Sequence, residues 1–127
     1  MNTRILMTSS SLVLGAAGVV ALFLPEVLLP AQSGMALLLV QVLGALYFAF
    51  AMMNWTAKDN AIGGIYARPV SLANFSHFFA GALLLAKHSF SNPFNASVLT
   101  ATAVYVIYAA CFYWLVFRAT GLKSAAP

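Results

Sequence analysis

Apolar residues run in long blocks along the chain, and short polar stretches separate them. The blocks are Ile5 to Leu24, Met35 to Trp55, Val70 to Lys87 and Ala96 to Phe117. A helix rises about 1.5 Å per residue, so roughly 20 apolar residues cross a hydrocarbon core about 30 Å thick. None of the blocks alternates apolar and polar positions in the manner of a barrel strand, so each is predicted to be a helix. The separators PEVLLPAQSG, TAKDNAIGGIYARP and HSFSNPFN carry the Pro, Gly, Asn and Ser that reverse a chain. Short connections make sequential helices antiparallel. The predicted fold is therefore all-α: a single transmembrane domain over residues 1–127, built as a membrane-spanning four-helix up-down-up-down bundle. The third span is the shortest and most polar, which predicts that it is the least lipid-exposed of the four. The first block is longer than the 7–15 residues of a leader's apolar core and lacks a clear small-residue cleavage site. It is read as a retained span.

Composition supports this frame. Of the 127 residues, 63% are hydrophobic and 6% are charged, against about 25% charged in a soluble domain. So few charges cannot coat a water-facing exterior. The net charge of +4 does not point to nucleic acid, because the cations sit at the ends of apolar blocks. With alternating spans, Arg4, Lys58, Arg68, Arg118 and Lys123 fall on one side and Lys87 on the other. The positive-inside rule then places both termini and the middle loop in the cytoplasm, with anionic membrane lipids as partners. Trp55 precedes Lys58, and Tyr113 and Trp114 precede Arg118; an aromatic at headgroup depth followed by a cation is an interfacial anchor.

Helical spacing picks out two polar faces. Ser71, Asn74, His77 and Gly81 share one face of the third span, and Gln41, Gly44, Tyr47, Ala51, Asn54 and Lys58 share one face of the second. Being antiparallel neighbours, these faces are expected to meet. One reading makes Asn54, Asn74 and His77 hydrogen-bonding glue between helices. The other is a ligand-binding pocket near the cytoplasmic side, formed by Tyr47, Asn54, Lys58, Tyr66, Arg68, Asn74 and His77, since ionisable residues at membrane depth are functional candidates. Gly63 and Gly64 ahead of Arg68-Pro69 extend that candidate site. Free N–H groups at a helix start beside a cation attract an anion such as a lipid phosphate, with Pro69 expected at the first helical position. The first span adds a small-residue face, Thr8, Ser11, Gly15 and Gly18, and the fourth an aromatic face, Tyr105, Tyr108 and Phe112. Both are read as packing surfaces.

Catalytic chemistry finds little support. His77 and His88 are the chain's two histidines, on one helix face and roughly 16 Å apart along its axis, too far to clamp one iron within a chain. Glu26 and Asp59, the two carboxylates, fall in loops on opposite sides. No acid pair, no carboxylate-bridged metal site and no carboxylate to orient a histidine is expected. Phosphate-cradling and nucleophile-elbow glycine motifs are absent. Cys111 lies within an apolar block, where a thiol is usually inert. No metal and no cofactor is predicted, and the enzyme question leans to no.

The stretch from Phe48 to Lys87 resembles a group of small bacterial four-span membrane proteins that share the pattern N-W…K…I-G-G-I-Y-x-R-P…N-F-x-H-F…G-A-L. Here the pattern falls on Asn54, Trp55, Lys58, Ile62 to Tyr66, Arg68, Pro69, Asn74, Phe75, His77, Phe78 and Gly81. The resemblance covers about a third of the chain. It implies a multi-pass protein of the bacterial inner membrane and implies nothing about chemistry. Three readings stand. The first is a non-enzymatic accessory or oligomer-forming subunit, homo-oligomeric or part of a larger membrane complex, with lipid headgroups bound at the 60–69 turn. The second is an oligomeric carrier or channel for a small neutral or anionic solute along the polar faces of spans two and three. The third is an intramembrane redox or lipid-modifying enzyme.

Overall fold

A computed structural model describes residues 2–31, 33–59, 67–91 and 95–117. Four long helices and one short one account for its regular structure: α1 (Thr3–Phe23), α2 (Pro25–Leu28), α3 (Met35–Ala57), α4 (Ala67–Ser91) and α5 (Ala96–Phe117). Among the described residues there is no strand. The four long helices lie where the apolar blocks predict them, and each is long and apolar enough to cross a membrane. Contacts divide the chain into two units, Met1–Asp59 and Asn60–Pro127. Each contains a helical hairpin, α1 with α3 and α4 with α5.

The first hairpin is defined by how its chain enters and leaves. The Asn2 side chain accepts a hydrogen bond from the Arg4 N–H at 3.0 Å, satisfying one of the donors a helix start leaves open. Helix α1 stops at Leu24 because Pro25 disfavours helical geometry in the residue before it; Leu24 has φ −134° and ψ 49°. Pro25 then opens the one-turn α2, where a missing N–H costs nothing. This turn was not anticipated from the separator PEVLLPAQSG. Gly34 precedes α3 with φ +60°, a conformation that glycine adopts without a side-chain clash.

The α1–α3 register is antiparallel and fixed by close approach. A Cβ on Gly18 would lie 2.8 Å from the Phe48 nitrogen and 2.9 Å from the Gly44 carbonyl oxygen. A Cβ on Gly44 would lie 2.8 Å from Ala21 Cβ and from the Leu22 nitrogen. The backbones therefore touch, which only residues without side chains permit. At the closed end, Gln41 Nε2 donates to the Leu22 carbonyl at 3.1 Å, one of the four carbonyls that the end of α1 leaves without a helical donor. At the open end, Arg4 Nε pairs with Asp59 at 3.1 Å, both side chains well exposed.

The second hairpin is held differently. Asn95 caps α5 by accepting from the Ser97 and Val98 N–H groups at 3.1 and 3.3 Å. Phe78, fully buried, stacks on Tyr108 and Phe112 with ring centroids 4.8 and 5.8 Å away and meets Tyr105 edge-on at 5.2 Å. One turn earlier Phe75 contacts Phe79, Tyr113 and Phe117 at 5.4–5.9 Å. Toward the other end Ser89 and Thr102 share a hydrogen bond at 3.2 Å. Aromatic rings at these spacings add about 0.5–1.5 kcal/mol per pair beyond their burial.

One expectation needs correction. Among the described residues α4 runs from Ala67, so Ala67 and Arg68 precede Pro69 in the helix and Pro69 is not its first residue. Within their own hairpins α1 is more enclosed than α4, 39% of its most apolar stretch being buried against 22%. Much of what makes α4 polar, Arg68, Ser76, Lys87, His88 and Ser91, is exposed.

Candidate functional site

Five polar side chains within the spans, Ser10, Ser11, Asn54, Ser71 and Asn74, are buried among the described residues. In the first hairpin Asn54 is fully buried, and its Nδ2 donates to Ser10 Oγ at 3.0 Å. The Ser10 hydroxyl in turn donates to the Met7 carbonyl at 3.1 Å. One hydroxyl thus accepts from the facing helix and donates to its own, using both of its capacities in one relay. Next to it Ser11 donates to the Ala51 carbonyl at 2.7 Å, a second link across the hairpin. Tyr47 is half-buried on α3. Lys58 ends that helix with Nζ 3.0 Å above the centre of the Trp55 ring, a cation–π contact that joins the expected interfacial aromatic to its cation.

In the second hairpin Asn74 is also fully buried, and its Nδ2 donates to the Val70 carbonyl one turn back at 2.9 Å. His77 is half-buried, with Nε2 3.3 Å from the Tyr105 hydroxyl. Its ring meets Phe78 edge-on at 5.2 Å and tilts against Tyr105 at 5.5 Å. The Tyr105 ring lies flush on Gly81: a Cβ there would collide with it. Ser71 is buried on the same face, whereas Arg68 is exposed in the first turn of α4. Gly63, Gly64 and Tyr66 lie outside the described residues.

On the predicted faces Ala51, Asn54, Ser71 and Asn74 are buried, and each face contacts the other helix of its own hairpin. Gln41, Gly44, Ala51 and Asn54 meet α1. His77 and Gly81 meet α5. Sequence reasoning did not pair Ser10 with Asn54 or Tyr105 with His77. Counting equal distances from the connection does not give either pairing: Ser10 lies 13 residues before the end of α1 and Asn54 19 beyond the start of α3, and His77 lies 14 before the end of α4 and Tyr105 9 beyond the start of α5.

Chemically the arrangement is rich in neutral hydrogen-bonding groups and poor in ionisable ones. No group of three or more His, Cys, Asp and Glu side chains is placed to hold a metal ion among the described residues. Asp59 is engaged with Arg4 at the end of the first hairpin, and Glu26 lies in α2. The Cys111 thiol is free and half-buried. The chain matches no family model, no curated protein and no solved structure. Four long apolar helices, arranged as hairpins around internal hydrogen bonds, mark a multi-pass membrane protein of all-helical architecture.

Proposed function

We propose that this protein is a non-enzymatic module of the bacterial inner membrane that acts by assembly, as a homo-oligomer or as an accessory subunit of a larger membrane complex. The observation that carries this reading is the use made of polarity at membrane depth. Asn54, Ser11, Gln41 and His77 each contact the facing helix of their own hairpin. Groups so engaged serve packing, and each such bond contributes roughly 0.6–2 kcal/mol. Outside, the hairpins present large apolar side chains: Ile5, Leu12, Leu39, Leu84, Leu99 and Ile107 are all more than 60% exposed. Such surfaces suit lipid or a neighbouring transmembrane helix.

In this proposal the four helices form the up-down-up-down bundle, with both termini and the 60–69 turn cytoplasmic. Arg4 and Lys58 share one end of the first hairpin, as that orientation requires. Arg68 at the start of α4 gives the turn a cation for lipid headgroups. Native mass spectrometry of the full chain released from a gentle detergent tests the reading. A discrete oligomer, or a co-purifying protein with bound phospholipid, is expected. A strictly monomeric species free of protein and lipid partners contradicts it.

A further inference from the structure

An open groove of about 440 Å³ runs along one side of the first hairpin, walled by Leu12, Gly15 and Ala16 of α1 and by Phe48, Met52 and Trp55 of α3. Its volume falls within the roughly 300–1,000 Å³ of ligand clefts. Gly15 and Ala16 make it: they remove side-chain bulk from α1 where the larger Phe48, Met52 and Trp55 stand up from α3. The floor carries no spare polarity, because the Ser11 hydroxyl that reaches it is committed to the Ala51 carbonyl. From Phe48 to Trp55 the groove extends about 10 Å along the helix axis. Trp55, which lines one end, carries a cation on its ring: Lys58, itself outside the lining, has Nζ 3.0 Å from the ring centre. An apolar trough that finishes at an aromatic and an ammonium has the polarity profile of one lipid: acyl chain first, anionic headgroup last.

We propose that this groove holds one acyl chain of an anionic phospholipid, with its phosphate at Lys58 and the Trp55 indole. Charge complementarity favours this occupant over a helix from a second copy. A second copy would have to bring a carboxylate to Lys58, and the chain has two, Glu26 and Asp59. Asp59 is paired with Arg4, and Glu26 sits in α2 at the opposite end of the hairpin. A parallel copy would instead set its own Arg4 and Lys58 against this one's. An anionic lipid supplies the missing negative charge and matches the apolar walls at once. The inference rests on the membrane reading above and is independent of the 60–69 turn.

The test uses the full chain with Trp114→Phe, leaving Trp55 as the fluorophore, in phosphatidylcholine vesicles. These carry either bromine-labelled phosphatidylglycerol or bromine-labelled phosphatidylcholine at equal mole fraction. Phosphatidylglycerol is expected to quench Trp55 at about one-fifth the mole fraction, the worth of one cation facing an anionic lipid. Lys58→Gln should bring the two lipids level, and Ala16→Phe, which fills the groove from an exposed position, should weaken quenching by both. Lipids retained in native mass spectrometry of the unsubstituted chain and of Lys58→Gln give the same comparison without the Trp114 change. Equal quenching by both lipids overturns the proposal. So does a preference that survives Lys58→Gln, or a Trp55 shielded from both lipids by a helix of a second copy. A protein that does not float with the vesicles at all overturns the membrane reading instead, so the two failures are distinguishable.

Discussion

The two hairpins solve one problem by opposite means. In the first, α1 and α3 approach until backbone meets backbone at Gly18 and Gly44, and hydrogen bonds from Ser11, Gln41 and Asn54 lock the register. In the second, α4 and α5 are spaced by rings, with Phe75 and Phe78 filling the gap against Tyr105, Tyr108, Phe112, Tyr113 and Phe117. The first design depends on atoms being absent, the second on their being present. In lipid, where no hydrophobic force drives helices together, both routes rest on packing and hydrogen bonding. They differ in what they tolerate. A backbone contact cannot move aside for a new methyl group, whereas a ring can turn.

That difference orders the expected effects of mutation. The largest belongs to Gly18→Val or Gly44→Val, which forces side-chain atoms into the facing backbone. Overpacking of this kind costs about 1–3 kcal/mol or more, measured as reversible unfolding in mixed micelles. Gly81→Ala should cost less, because the atoms it meets belong to the Tyr105 side chain. Tyr105→Leu should relieve it, while no single side-chain change should rescue Gly18→Val. If Gly18→Val and Gly81→Ala prove equally costly, the contrast between the hairpins is lost.

Tyr105→Phe comes next. It keeps the ring on Gly81 and Phe78 and removes only the hydroxyl that faces His77. About 0.6 kcal/mol, the average for a hydrogen bond between membrane helices, is the expected loss. The smallest effect is that of Arg4→Gln. The Arg4–Asp59 pair is exposed on both sides, and such pairs contribute about 0–1 kcal/mol, less in high salt. A change well above that range would mean that the open end of the first hairpin carries more than an ion pair.

The helices were legible in the sequence because a membrane span needs one simple thing, a long apolar run, and this chain has four. Inward faces were legible for a similar reason: Asn54, Asn74 and Gly44 are costly or weak in a span unless they meet another helix, so their spacing announces a contact. The identity of the partner was harder. Within the first hairpin Asn54 finds Ser10, and within the second His77 finds Tyr105, and neither pairing can be named from the face alone. Helical periodicity gives the face of one helix and says nothing about which neighbour covers it. The α2 turn was missed because four residues are too few for a periodic signal, and the groove was missed because it arises from the difference between Gly15-Ala16 on one helix and Phe48, Met52 and Trp55 on the other.

Whether buried polarity here holds helices together can be measured at Ser10 and Asn54. A double-mutant cycle with Ser10→Ala and Asn54→Leu, read as unfolding free energy in mixed micelles, isolates their hydrogen bond from the rest of each side chain's surroundings. A favourable coupling of about 0.6–1.7 kcal/mol and a net loss of stability in Asn54→Leu are expected. A coupling of zero together with a more stable Asn54→Leu protein would contradict that expectation, since a polar group kept against the interest of stability is one retained for a site.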